Sequence, residues 1–310
     1  MSKRTINIAP ETRNWLSLIL LSLVWGTSFI LIKKSLVAFS AIQVACLRMS
    51  FSALAFVPLI LWQWRKVDWS KIWILLAVGL TGTALPAIFF STAQTQISSS
   101  LTGILNSLTP LFTLVFGLLF FKQVFSWSKV AGVFLGLAGA SVLILLSNNA
   151  GVEGNIWYAL LIVLATICYG INGNIVGVYL KEMNPLIIAA TSFGLVGIPG
   201  FIYLFAGTNF LERMQVEEHA WASLGYVAIL ALVGTVAASV LFFRLIQWTS
   251  PLFGSTVAYL MPIIALLWGV VDGESIFIFH FFGMALILLG VYLSRKKSVK
   301  LPFIKKSMEN

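Results

Sequence analysis

Acidic side chains are the scarcest chemical resource in this sequence: ten Asp and Glu against twenty Lys and Arg in 310 residues, a formal net charge of +10. Charged residues total 10%, where soluble domains carry about 25%. Hydrophobic residues reach 59% and the mean hydropathy is +0.98. This balance excludes a soluble globular domain and leaves a polytopic membrane protein. Cysteine is nearly absent, and Cys46 and Cys168 lie in apolar segments, so neither a disulfide framework nor a metal set is expected. Histidine is limited to His219 and His280, in or near segments outside the membrane. No H-E-x-x-H, G-x-S-x-G or G-x-x-x-x-G-K-[ST] occurs. No apolar run carries an acid at its centre, the group that proton relays and intramembrane cation sites generally use. Neither an intramembrane hydrolase nor a proton pump is indicated, and no cofactor is expected. The net positive charge invites a nucleic-acid partner, but the basic residues sit at membrane edges, where topology accounts for them. No nucleic-acid partner is expected.

What is present is a series of ten apolar runs, at about 14–33, 40–62, 72–93, 98–121, 128–147, 156–178, 185–206, 221–243, 251–272 and 277–294. The first is a span rather than a signal peptide, because Trp25 and Gly26 sit in its middle and no A-x-A site follows. With the N-terminus inside, sixteen Lys and Arg fall on inner segments, including the tail 295–310. Only Lys33, Lys34 and Arg213 fall outside, so both termini are placed in the cytoplasm. The longest loop, 207–220, carries Glu212, Arg213, Glu217, Glu218 and His219.

The organising stretch is residues 101–121, LTGILNSLTPLFTLVFGLLFF, without a charge and with Pro110 near its middle. Thr102, Asn106, Thr109 and Thr113 follow i, i+4, i+7, i+11 and form a stripe on one helical face. An unpaired amide or hydroxyl in hydrocarbon costs several kcal/mol, so the stripe should face a polar interior. The stretch returns later as LFGSTVAYLMPIIALLWGVVD, with Pro262 answering Pro110 and Gly269 answering Gly117, each pair 152 residues apart. At the same offset Gly82, Thr83, Phe90 and Ser98 meet Gly234, Thr235, Phe242 and Ser250. At an offset of 144, Trp25–Gly26 meets Tyr169–Gly170. Residues 1–147 and 156–294 thus read as two five-span repeats joined by the Gly/Asn-rich linker 148–155. Five is odd, so the second repeat enters from the opposite side. The expected fold is all-α, ten transmembrane helices in two inverted repeats around a central cavity, with a site near the midplane.

The W-G-x-x-F of Trp25–Phe29, the early Arg48 of the second span, the proline and glycine seven residues apart in spans four and nine, and Gly273–Glu274 carry a likeness to a known family. On these residues, and over nearly the whole chain twice, the sequence resembles the EamA-type drug/metabolite transporters. The resemblance implies the same ten-helix inverted-repeat fold, small metabolite substrates, often amino acids, and commonly export. One departure is Lys122, where the family usually carries Glu; Glu274 keeps the acid in the second half only.

Candidate site residues follow from the stripes: Thr102, Asn106 and Thr109 on span four, with Thr83, Pro86, Phe90 and Gln94 sharing a face of span three. Tyr169 and Asn172 share a face of span six, whereas Asn174 points away toward a neighbouring helix. Ser255 and Tyr259 lie on span nine, and Trp25 and Trp268 are either cavity walls or packing residues. Isolated hydroxyls can instead bond their own i−4 carbonyl. Arg48 lies roughly 12 Å below the outer surface at about 1.5 Å per residue. Its burial costs on the order of 2.5–3.5 kcal/mol, which demands a partner or a wet cavity. Two readings stay open: capture of a substrate carboxylate or phosphate, or a fixed bond to helix-end carbonyls, Glu274 or Asp272. Gly132-x-x-x-Gly136 and Gly173-x-x-x-Gly177 read as close helix contacts. The expected function is an inner-membrane carrier of a small neutral or zwitterionic metabolite, an amino acid or derivative first, working by alternating access within the lipid bilayer. The alternative is a membrane sensor or scaffold without transport.

Overall fold

The computed structural model describes residues 9–121, 127–147, 156–273 and 278–295. The linker 148–155, Lys122, Glu274 and the tail beyond Arg295 lie outside the described residues. Among the described residues the structure is all helical, and eight helices are long and apolar enough to cross a membrane. In chain order they are α1 Pro10–Ser35, α2 Ala41–Lys66, α3 Trp69–Ala93, α4 Ser99–Phe120, α6 Trp157–Tyr179, α7 Pro185–Ala206, α8 Ala220–Trp248 and α9 Pro251–Val271. Two further helices, α5 Trp127–Ser147 and α10 Ile278–Arg295, pack on each other.

Helix starts follow local chemistry. Ser40 opens α2 with a reciprocal capping box to Gln43. Asn184 caps α7 through Leu186 N, and Ser98 and Ser250 cap α4 and α9 through Leu101 N and Phe253 N. Ser98 and Ser250 are 152 residues apart, and Ser40 and Asn184 are 144 apart, so the offsets read from the sequence recur in the caps. They recur again in the two π-helical segments, Leu80–Ala84 within α3 and Leu232–Ala237 within α8.

Two glycine contacts fix the scaffold. A Cβ on Gly290 of α10 would stand 2.7 Å from both Gly132 O and Gly136 N of α5, so the expected role of the Gly132/Gly136 pair in close packing holds. A Cβ on Gly197 of α7 would stand 2.4 Å from Ala53 Cβ of α2. Large apolar side chains elsewhere stay uncovered, among them Leu61, Leu119 and Val271. That pattern is what a hydrocarbon solvent permits.

Two boundaries differ from the sequence reading. The helix expected over 221–243 continues to Trp248, because Phe243, Leu245 and Ile246 remain buried and Arg244 projects outward beside Trp248. The loop 207–220 contains a short helix, Phe210–Val216. It is docked by Arg213 Nη1 on Ala38 O at 2.8 Å and by Gln43 Nε2 on Asn209 Oδ1 at 3.1 Å, hydrogen bonds that hydropathy does not register.

Candidate functional site

A cavity of about 70 Å³, measured as room for the centres of water-sized molecules, lies where α1, α2, α3, α4, α6, α8 and α9 meet. Both halves of the chain wall it. Trp25, Ser28 and Phe29 come from α1, Arg48 from α2, Gly82 and Phe90 from α3, and Asn106 and Thr109 from α4. Tyr169 and Asn172 come from α6, Gly234, Ser239 and Phe242 from α8, and Ser255 and Met261 from α9.

The π-helical segments shape the cavity. The wider turn leaves a carbonyl without its i+4 donor, and Gly234 O receives Trp25 Nε1 at 2.7 Å. Within the same segment Thr235 Oγ1 donates to Leu230 O at 3.2 Å and accepts from Arg48 Nε at 2.7 Å. Tyr169 of α6 is the guanidinium's other polar neighbour. In the first half, Asn172 Nδ2 donates to Val78 O at 3.0 Å, just before the Leu80–Ala84 segment. A Cβ on Gly82 would meet Asn172 Nδ2 at 2.6 Å, and one on Gly234 would meet Ser28 Oγ at 2.9 Å. These two contacts are counterparts at the 144 and 152 offsets. Trp25 against Phe242, ring centroids 4.9 Å apart, and Tyr169 against Phe90 at 5.9 Å are a second such pair. Gly26 against Ile264 and Gly170 against Phe112 are a third.

Six of the nine expected site residues line the cavity: Trp25, Arg48, Asn106, Thr109, Tyr169 and Asn172. Three do not. Thr102 is fully buried and returns its hydroxyl to Ser98 O at 2.9 Å. Tyr259 lies with its ring on Gly136 and donates to Val133 O at 3.1 Å, so it ties α9 to α5. Gln94 is buried beyond Phe90 at the end of α3, away from the cavity. The stripe on α4 fails at its ends because a 3₁₀ turn over Asn106–Leu108 interrupts the helix. Thr113, like Thr102, bonds its own backbone, to Thr109 O at 2.8 Å. Asn106 remains at the cavity with Nδ2 on Met261 Sδ at 3.4 Å, and Thr109 donates to Asn106 O at 2.8 Å.

Asn174 bonds Thr113 O of α4 as expected of a residue pointing from the site. Trp268 is no cavity wall: it donates to Thr27 Oγ1 at 2.9 Å at the outside of α1. Asp272 is no partner for Arg48, because Lys33 and Lys34 Nζ each reach one of its oxygens at 2.6 Å. Their hydrogen bonds, Lys33 first, hold its carboxyl below the usual range. The sequence reading missed Ser28 and Met261, and it took Gly82 and Gly234 only as alignment markers. Their signal was the glycine itself, at a place where two helices leave no room for a Cβ.

Arg48 is 8% exposed and, among the described residues, is the only charged residue on the cavity wall. Of the five N–H donors of a guanidinium, Thr235 takes one and Tyr169 is the other neighbour. Among the described residues no carboxylate pairs with it. The arrangement offers one cation together with amides, hydroxyls and aromatic faces. It can bind, and no nucleophile–base pair is displayed.

Comparison with known proteins agrees with this architecture. The model of the EamA-like transporter family matches twice, over residues 13–145 and 156–295. An "uncharacterized inner membrane transporter YedA" of Escherichia coli is 26% identical over 301 residues, covering 93% of this chain and 94% of that protein. An "uncharacterized transporter" of Archaeoglobus fulgidus is 23% identical over 286 residues, 92% of this chain and 99% of the relative. A solved crystal structure superposes with a TM-score of 0.67 at 16% identity, covering 91% of this chain and 96% of that one, a likeness of fold alone. Matched along both halves, the chain belongs to the EamA-like transporter family, within the drug/metabolite transporter superfamily.

Proposed function

We propose that this protein is a carrier in the bacterial inner membrane, moving a small carboxylate-bearing metabolite of amino-acid size by alternating access. The observation that carries the reading is the cavity itself. It is walled by both halves, and Arg48 lines it with donors that its two protein neighbours do not consume. Ten spans in two inverted five-helix repeats, with both termini cytoplasmic, complete the proposal. The counterpart contacts across α1/α8 and α6/α3 support it, since a two-fold relation predicts them in pairs. Export is the direction in which the family resemblance points. A non-transporting scaffold would have no use for a void of about 70 Å³ lined by an unpaired cation.

The test is uptake and efflux of a labelled amino-acid and metabolite panel in proteoliposomes, with wild type beside Asn106→Ala. Saturable flux weakened several-fold by the substitution is expected, because Asn106 lines the cavity. Absence of flux across the panel, with folded protein, would promote the scaffold. With no acid on the described cavity wall, flux is expected to survive collapse of the pH gradient. Strict dependence on that gradient would sink the uncoupled mechanism.

A further inference from the structure

The charge of the cavity narrows the substrate within the carrier reading, on which this inference rests. We propose that the preferred substrate is a monoanionic apolar carboxylate without a free ammonium group, such as a 2-oxo, 2-hydroxy or N-acyl acid, rather than the parent zwitterionic amino acid.

Among the described residues Arg48 carries the wall's only formal charge, and its two neighbours, Thr235 and Tyr169, are neutral. A carboxylate placed against the guanidinium neutralises the site and gains charge-assisted, bidentate geometry. A zwitterion does the same with one end but brings a second cation into the same small volume. The cavity is small, with about 70 Å³ of room for water centres, so the ammonium cannot move far from Arg48. A buried ammonium group is best met by an acid, and among the described residues the wall offers none. Its oxygens are neutral: Gly234 O already accepts from Trp25 Nε1, and the hydroxyls of Ser28 and Ser255, which donate to Val24 O and Leu252 O, present lone pairs without a charge.

The rest of the lining suits an apolar body: Trp25, Phe29, Phe90, Phe242, Phe243 and Met261 present rings and a thioether. The cavity thus recognises one anionic end and one apolar end, and no acid on the described wall answers a positive end.

The experiment uses the full chain in proteoliposomes with four matched probes: leucine, 2-oxo-4-methylpentanoate, 2-hydroxy-4-methylpentanoate and the uncharged 4-methylpentanamide. The two deaminated acids are expected to be carried with kcat/KM about tenfold or more above leucine at the same pH. Arg48→Gln is expected to lower the acid-to-amide ratio by about tenfold. The wild-type ratio of acid to leucine decides alone if that variant fails to fold. Leucine carried as well as or better than its deaminated acids overturns the inference and leaves the carrier standing. No saturable flux of any of the four overturns it as well, and the carrier falls with it only if the wider panel is also refused.

Discussion

Arg48 of α2 and Ser192 of α7 stand at the same place in the two halves, 144 residues apart, with opposite outcomes. Arg48 meets Thr235, whereas Ser192 and Thr83, the counterpart of Thr235, each keep a buried hydroxyl without a hydrogen-bond partner. The pair Arg48–Thr235 is therefore an interaction and the pair Ser192–Thr83 an unfilled place. Removing the Thr235 hydroxyl should cost about 1 kcal/mol of orientation, the usual net value of one hydrogen bond. Thr235→Val is expected to raise KM for the carried acid about fivefold while leaving the protein folded, as read by transport kinetics beside a detergent melting curve. Ser192→Ala is expected to change the melting temperature little or to raise it, because a buried hydroxyl without a partner is a cost to begin with.

At the scale of elements, the glycine contacts give the largest expected effects. Gly290→Ala drives a Cβ against backbone atoms of α5, which cannot swing aside as a side chain can. It is expected to cost about 1–3 kcal/mol, the range for overpacking, and to appear as a lowered melting temperature. The α1–α9 ion cluster behaves differently. Asp272 titrates below its ordinary range because it accepts from Lys33 and Lys34. A depressed carboxylate contributes its stability above the unfolded-state pKa and loses it as pH falls through the folded one. The melting temperature should therefore hold from pH 7 to pH 5 and fall only on stronger acidification, an acid limb that Asp272→Asn should lack.

How far elements could be read from sequence depended on what set them. Hydropathy found the eight helices long and apolar enough to cross a membrane, because hydrocarbon demands such helices. It could not find Phe210–Val216, which two side-chain bonds hold to the α1–α2 corner. Nor could spacing alone separate Asn106 from Thr102: both lie on one ideal face, and the 3₁₀ turn between them decides which one reaches the cavity. Tyr259 was misplaced for a related reason. Its face was right, but the missing side chain of Gly136 opened a nearer berth for the ring.

Across the whole molecule, the offsets that aligned the sequence also pair the contacts. Gly82 with Asn172 matches Gly234 with Ser28, and Phe90 with Tyr169 matches Phe242 with Trp25. The proposed inverted two-fold relation puts residues 181 and 217 on opposite faces. In a background with Cys46 and Cys168 replaced, Glu217→Cys should react with a membrane-impermeant thiol reagent in intact cells. Lys181→Cys should react only after the cells are opened. Reaction of both from outside would reject the proposed topology.

The two-fold relation is broken where it matters most, since the guanidinium belongs to one half and a serine holds the matching place in the other. An outward-facing and an inward-facing cavity then cannot be mirror images: a substrate held by Arg48 lies closer to one mouth than to the other. Half-saturation measured from the two faces should be unequal. At zero membrane potential, detailed balance requires an uncoupled carrier to compensate, so that kcat/KM is the same in both directions and the weaker face turns over faster. A chain built twice from nearly the same pattern would in this way work as a kinetic rectifier at high substrate, and for an anionic cargo the membrane potential adds to the cargo's own gradient.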